Sequence, residues 1–373
     1  MNTFIPERHI KRFEFWQLAM TIVKFLLIRY NYIDNAMKKT INFGCSLLLL
    51  TLVTINKSYS AGFAVDSHSA SGLATSYAGS VTGSHDISDS FFNPAVFADV
   101  NKRELVLSAT YVDISIDDDN VNSTYASNSN SVSGSRNDDA GVDAIIPAFF
   151  FATPINENTT FGISTVTPFG LATSYNPNGQ QRYYAVDSEI QSVNINPSIA
   201  HKLTERLSIG AGLQAQYIKA TLTSVVDVGG LFFSSPGTRD AMGKVKGDDW
   251  GYGFNLGAKY QANDKLAIGL GYRSRIKHKL EGKTQIQSAA IGNPTSDFNA
   301  PLTTPENVTL GFQYIANSIS TFFSDVSWTR WSRVKSLNVN AIENSSLSTN
   351  TLFELKDSFR YSLGAKFGIV NPK

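Results

Sequence analysis

RLSIGAGLQAQYIKATL, residues 206–222, alternates with period two. Leu207, Ile209, Leu213 and Tyr217 fall on one face; Ser208, Gly210, Gly212, Gln214 and Gln216 fall on the other. Alternation at this period marks a strand with two unlike faces. DKLAIGLGYRSRIKHKL (264–280) repeats the pattern. Leu266, Ile268, Leu270, Tyr272 and Ile276 share one face by simple counting, and Lys265, Arg273, Arg275, Lys277 and Lys279 share the opposite one. Such strands either cover a soluble core or put lipid outside and water inside a barrel.

The connections separate these cases. Strands are expected near 104–116, 141–153, 159–174, 183–203, 206–226, 245–262, 265–282, 304–316, 320–338 and 351–370. Every second connection is short: TPINENTT, HKLTER, QANDK and IANSIS. The others are long and polar, at about 117–140, 175–182, 227–244, 283–303 and 339–350. Short turns at one end and long loops at the other are the pattern of an outer-membrane barrel, with the short turns in the periplasm. A soluble sandwich has no reason to sort its loops in this way. Several strands exceed the roughly 9–11 residues of a tilted crossing, so the barrel should project beyond the bilayer.

Composition agrees with an all-β membrane protein. Charged residues make up 17 %, below the roughly 25 % of an average soluble domain, while aromatics reach 12 %. The net charge of +1 gives no case for a nucleic-acid partner. Beyond position 60 no apolar run is long enough for a transmembrane helix. Met37-Lys38-Lys39 opens a basic stretch, INFGCSLLLLTLVTI comes next as an apolar one, and NKSYSA offers cleavage before Ala61. Residues 37–60 therefore read as a Sec signal peptide, with 1–36 as a start placed too far upstream or, alternatively, an N-terminal anchor. Cys45 is the only cysteine and lies in that signal, which excludes disulfides, thiol catalysis and zinc-thiolate sites from the mature chain.

Ahead of the first strand, the small and polar stretch SASGLATSYAGSVTGSHDISDS runs into Phe91-Phe92-Asn93-Pro94-Ala95. Asn-Pro cannot continue a central strand, so this is a rigid break between two kinds of structure. No HExxH and no G-x-S-x-G motif is present, and His9, His68, His85, His201 and His278 are scattered, so an enzyme is not expected.

The start SAGFAVDSHSASGLATSYAGS…FFNPA resembles the N-terminus of FadL-type long-chain fatty-acid outer-membrane transporters, a family that includes TodX-type aromatic-hydrocarbon channels. Further matches occur in order: TPFGLAT (167–173), RYYAVDSEIQSVNINPSIAHKL (182–203), WGYGFNLGAKY (250–260), GYRSRIKHKLEG (271–282), WTRWSRV (328–334) and LKDSFRYSLGAKF (355–367). The resemblance implies a transmembrane antiparallel β-barrel of fourteen strands around an N-terminal hatch. Here it would comprise a hatch at 61–103 and about ten strands over 104–373, as a truncated or frameshifted product would.

The resemblance also implies passive uptake of long-chain fatty acids or similar hydrophobic molecules across the bacterial outer membrane. The ligand would use a lumenal pocket, hatch movement and lateral release at a kink in the third strand. Alternatives are an aromatic-hydrocarbon channel, a surface receptor or adhesin acting through the long loops, and a non-functional product. No cofactor or metal is implied, and the partners would be the hydrophobic ligand, outer-membrane lipid and lipopolysaccharide around a monomer. Pro168, Phe169 and Gly170 would form the kink. Phe91 and Phe92 would floor the pocket or simply pack the hatch, with Asn93, Pro94 and Ala95 as the joint to the wall. Phe63, near the mature N-terminus, would reach toward the pocket. The family's carboxylate-binding Arg falls near Ser224 and its Lys region is shortened before Leu355. Arg182, Lys356 and Arg360, in matching motifs, are the substitutes, or else Lys356, Asp357 and Arg360 form a lumenal charge network. The basic face of 273–279 would steer anions, or pair with lumenal acids or lipopolysaccharide.

Overall fold

An antiparallel wall makes up most of the structure, a computed structural model that describes residues 62–125 and 128–368. The expected signal at 37–60, the stretch before it, Cys45 and Ala61 lie outside the described residues. The wall starts with β1 (Glu104–Val112). A small ladder of β2 (Asp117–Asp118) with β3 (Asp138–Asp139) sits in the next loop, before β4 (Ala144–Asn156). β5 (Thr159–Val166) and β6 (Gly170–Ser174) are two halves of one crossing. β7 (Asp187–Lys202), β8 (Leu207–Asp227) and β9 (Asp240–Asn263) are continuous. The remaining crossings are broken again: β10 (Leu266–Arg273) with β11 (Ile276–Gln287), and β12 (Thr295–Thr304) with β13 (Asn307–Ile315). After them come β14 (Ser320–Thr329) with β15 (Ser336–Ala341), and β16 (Thr349–Leu352) with β17 (Ser358–Phe367).

The ladder order is β1-β4-β5-β7-β8-β9-β10-β13-β14-β17, each strand antiparallel to the next in sequence, so the wall has the ten crossings expected. Among the described residues β1 pairs only with β4 and β17 only with β14. Short turns at 157–158, 203–206, 264–265 and 316–319 gather at one end and the long loops at the other. One boundary moves. The stretch 283–303, expected as a loop, is mostly strand, because β11 runs to Gln287 and β12 starts at Thr295. Its alternation is inverted in polarity: Phe298, Ala300 and Leu302 turn inward and are buried, while Asp297, Asn299 and Thr303 alternate with them.

The two faces of β8 settle what surrounds the wall. Leu213 is 70 % exposed, whereas Gln216 is 1 % exposed. On the inner face, buried amides bond between nearby strands of the wall: Asn196 donates to Leu213 O at 2.6 Å and to Asn255 Oδ1 at 3.0 Å, and Gln214 donates to Phe254 O at 2.7 Å. Leu105, Leu107, Trp250, Tyr252, Leu256, Leu270, Leu310 and Phe312 are all exposed on the outside. An apolar band of this extent is stable against lipid and not against water.

Counting by twos fails at one place. Arg273 and Ser274 are consecutive buried residues, so the side-chain phase shifts by one between β10 and β11. Ile276, counted with Leu266 to Tyr272, turns inward instead and is 2 % exposed. Arg273 also points inward, and Arg275, Lys277 and Lys279 stand outside, parted from it. A local irregularity of this kind adds a residue to one strand and re-aims the side chains after it. Ser274 supports it by donating its N–H to Phe254 O and accepting Phe254 N–H on Oγ, both at 2.9 Å. Past the shift the outside becomes charged and the inside apolar, so this level marks the edge of the lipid-facing band.

Residues 62–103 fill the lumen with short helical turns. Phe91, Phe92 and Phe97 pack with Tyr77, Val81 and Ile87 against Ala148, Phe150, Ala152, Val166 and Ala200 of the wall. The wall meets this plug on a row of small residues that neighbour one another across strands: Ala200, Gly210, Gly257 and Gly271. A Cβ at Gly257 would stand 1.8 Å from Asn93 Oδ1, one at Gly271 1.9 Å from Phe92 O, and one at Gly210 2.4 Å from Ala95 N. Asn93 caps the turn Pro94–Asp99 through Ala95 N at 2.9 Å. Its amide nitrogen donates to Val81 O and to Ala258 O of β9.

Gly257→Val should therefore push the plug off its seat, at about 1–3 kcal/mol of overpacking. Heat-modifiable migration on SDS gels should show unfolding at a lower temperature than the parent; an unchanged transition would rule out the tight seat.

Candidate functional site

The third crossing opens at residues 167–169. Pro168 has no N–H to give to a ladder. β4 and β5 pair as far as Phe149↔Thr165, but β6 pairs with β7, and only a single bridge, Gly141↔Thr173, returns to the second crossing's side. The wall is thus unzipped between 144–148 and 166–172 among the described residues. Ser192 on β7 closes the other side of the kink: Phe169 N donates to its Oγ at 2.9 Å, and that hydroxyl donates to Phe169 O at 2.7 Å.

From inside the lumen, the start of the hatch pairs with the kink. Gly170 N donates to Phe63 O at 3.0 Å and Val65 N to Pro168 O at 2.9 Å, on either side of the bridge Ala64↔Phe169. Four rings meet there. Phe63 lies 5.7 Å from Phe169, 5.2 Å from Trp331 and 6.5 Å from Phe353, between ring centroids. Trp331 is fully buried and edge-on to Phe169. Sequence reasoning named Phe63 and Phe169 but not Trp331 or Phe353, although WTRWSRV carried a signal for the former.

A cavity of about 630 Å³ continues from these rings toward the long-loop end. Its lining includes Ile190, Leu222, Val245, Leu337, Leu347 and Phe353, and Phe353 belongs to the ring group as well. The volume falls within the roughly 300–1,000 Å³ of small-molecule sites, and the lining has their apolar character. Among the described residues Lys244 is the only charged one on it, and Ser224 lies beside it.

The residues expected to act together divide into separate groups. Phe91 and Phe92 stack at right angles, 5.0 Å apart, in the hatch cluster on the glycine row, away from the Phe63 and Phe169 group. Arg182 is buried and engaged: Nε donates to Asp240 at 3.0 Å, Nη1 to Ser133 O and Gly179 O, and the guanidinium covers Tyr183. Arg360 pairs with Asp66 of the hatch and lies 5.2 Å over the Phe92 ring. Lys356 is exposed in the stretch between β16 and β17, and Asp357 accepts Ser332 N–H at 3.0 Å.

Further wall-to-hatch contacts went unforeseen. Asp325 on β14 accepts Gly79 N at 3.0 Å, Ser80 Oγ at 2.8 Å and Val81 N at 3.4 Å. Arg273 donates to Phe91 O at 3.0 Å and covers the Phe91 ring. Asp99 pairs with Lys259. The hatch is thus held from several sides at residues 79–99, whereas 63–65 are held chiefly by the kink and its rings.

Two buried hatch groups titrate in opposite senses. His68 packs on Phe91 with neither ring nitrogen hydrogen-bonded, and burial drives its pKa down to about 4 against the pull of Asp66. Asp89 accepts from His85 at 2.9 Å, yet burial outweighs that partner and lifts its pKa to about 6.

The family model described as outer membrane protein transport protein (OMPP1/FadL/TodX) matches residues 51–372. The long-chain fatty acid transport protein of Salmonella typhi is 25 % identical over 358 residues, covering 88 % of this chain and 79 % of its own length. Outer membrane protein P1 of Haemophilus influenzae is 25 % identical over 360 residues, covering 88 % and 78 %. Among solved structures, a Pseudomonas aeruginosa FadL homologue superposes with a TM-score of 0.74 at 23 % identity, over 83 % of this chain and 79 % of its own. The Pseudomonas putida toluene transporter TodX gives 0.61 at 16 % identity, over 84 % and 82 %.

The hatch groups yield a pH test. Unfolded chain takes up a proton at His68 below pH 6.5, which the folded hatch refuses until about 4, so acidification through that window costs stability. Asp89 works the other way: the folded state keeps its proton up to about pH 6, the unfolded one only to 3.8, so acidification adds stability. His68→Phe should leave only the second effect, and hydrogen exchange should find its hatch amides better protected at pH 5 than at pH 7.5. Equal or weaker protection at pH 5 would contradict the assignment.

Proposed function

The chain belongs to the OMPP1/FadL/TodX family of outer membrane transport proteins, and from that premise we propose that it carries long-chain fatty acids or similarly hydrophobic molecules inward by diffusion. The observation that supports this reading is an apolar route with an exit. The cavity near the long loops leads through Phe353 and Trp331 to the rings of Phe63 and Phe169, which stand at the unzipped part of the wall. A hydrophobic ligand travels such a route without nucleotide, driven by its gradient. It would leave sideways between β4 and β6 into the surrounding lipid, once residues 63–65 release the kink. The rest of the hatch need not leave its seat, because its anchors lie at 79–99.

The head group of a carboxylate ligand needs a cation, and the pairing strengthens where water is scarce. Arg182 and Arg360 already hold Asp240 and Asp66, so we assign this contact to Lys244 on the rim of the cavity. Hydrocarbon ligands such as those of TodX would use the same rings without the cation. Lys244→Gln should weaken oleate binding by about tenfold and leave toluene binding unchanged, since a hydrogen bond to a charged group contributes roughly 1.5–3 kcal/mol. Tritiated oleate and toluene binding to purified protein measures both; equal losses on the two ligands would remove Lys244 from the role. Oleate uptake by cells lacking their own transporter tests the wider reading, which fails if expression of this chain restores none.

A further inference from the structure

Three neighbouring crossings break at one level, on the side away from the third-strand kink. β10 gives way to β11 at 274–275, β12 to β13 at 305–306, and β14 to β15 at 330–335. β13 and β14 stay paired up to Asn307↔Thr329, and Arg330 N donates to Glu306 O at 3.0 Å. The next pairing between these two crossings is Asn299↔Asn340. In the gap the turn Trp331–Arg333 sends its indole into the lumen. Arg330, Ser332, Arg333 and Lys335 are left beside Arg275, Lys277 and Thr303, around a cleft of about 610 Å³.

The cleft is cationic beyond local need. Five of its residues carry positive charge, and Glu306 is shared by Arg330 at 3.2 Å and Arg333 at 3.0 Å. Asp357 stands beside the cleft, accepting Ser332 N–H, and its charge reaches Arg330, which leaves two acids against five cations among the described residues. The phase shift that turns Arg273 inward is what delivers Arg275 and Lys277 to the outer side, so this charge does not serve the lumen. Next to the cleft, toward the short turns, the outward residues of β10 and β13 change to Leu270, Leu310 and Phe312, all exposed. A cationic cleft directly against an acyl-facing surface matches a molecule with a phosphorylated head and hydrocarbon tails. Guanidinium groups suit phosphate through bidentate hydrogen bonds, and clustered basic residues at a membrane surface favour anionic lipid.

We propose that this cleft is a binding site for a phosphorylated lipid of the outer leaflet. The phosphate sits among Arg275, Lys277, Arg333 and Lys335, and the acyl chains lie along Leu270, Leu310 and Phe312. The test uses the full chain in neutral detergent micelles and titrates in diphosphoryl lipid A, with native mass spectrometry to count retained lipid. The parent protein should retain one tightly held lipid, and the triple variant Arg275→Gln, Lys277→Gln, Lys335→Gln should bind it about a hundredfold more weakly. That variant keeps Arg330 and Arg333 on Glu306, and its three positions are exposed, so its heat-modifiable migration should match the parent. Swapping the same positions between Lys and Arg should preserve binding. Equal lipid retention by the triple variant would overturn the proposal. So would equal retention of a dephosphorylated lipid A, or full displacement of the lipid by inorganic phosphate at matched concentration, which would mark a plain anion site.

Discussion

The plug and the wall touch backbone to backbone. Across β8, β9 and β10 the neighbours Gly210, Gly257 and Gly271 leave no side chain between the wall and residues 92–95, and even a Cβ would collide. Much else depends on that approach. It lets Asn93 reach Ala258 O in the wall while capping the turn behind it, and it brings Phe91 under the Arg273 guanidinium. Because Asn93 and Pro94 stop extended structure there, the chain can leave the lumen and enter β1 a few residues later. FFNPA is thus a seat as well as a joint, and its two Phe rings serve the hatch core.

The hatch is consequently two mechanical parts. Residues 79–99 are tied to β9, β10 and β14 by Lys259, Arg273 and Asp325, with the glycine row beneath them. Residues 63–65 are tied to the kink by two backbone hydrogen bonds and a set of aromatic contacts. The second attachment is the smaller one, and it covers the place where the wall is unzipped. Proline at 168 and the stand-in hydroxyl of Ser192 keep that gap open without leaving Phe169 unsatisfied. The proposed gate therefore requires the movement of only a few residues, with the rest of the plug left on its seat.

Much of the fold was legible because the wall obeys a two-residue period and sorts its turns. Leu213 and Gln216 fell on opposite faces of β8 as read, and the four short connections all lie at one end. What escaped was every point where the period slips. A bulge leaves no mark in a list of residue types, so Ile276 and Arg273 were placed with the wrong neighbours. Above the lipid-facing band the polarity inverts, and Phe298 and Leu302 looked like loop residues for that reason. The kink at Pro168 was an expectation of the family resemblance, and proline's missing N–H is consistent with the break between β5 and β6. The ionic sites were not: Arg182 and Arg360 find Asp240 and Asp66 only through distant loops and the hatch, a pairing no local pattern predicts. Lys244 reaches the cavity rim on a strand end that had read as loop.

On the proposed route, release of residues 63–65 from the kink is the step that frees the ligand to leave the wall. Ala64 and Phe169 face each other as a non-hydrogen-bonded antiparallel pair, the closer of the two spacings and one a disulfide can span. The double variant Ala64→Cys, Phe169→Cys, expressed in cells lacking their own transporter, isolates that step. Oxidised, it should take up labelled oleate at a small fraction of its own reduced rate, and reductant should restore the difference. Equal uptake in the two states, with the disulfide verified by mass, would show that the ligand leaves without this gate.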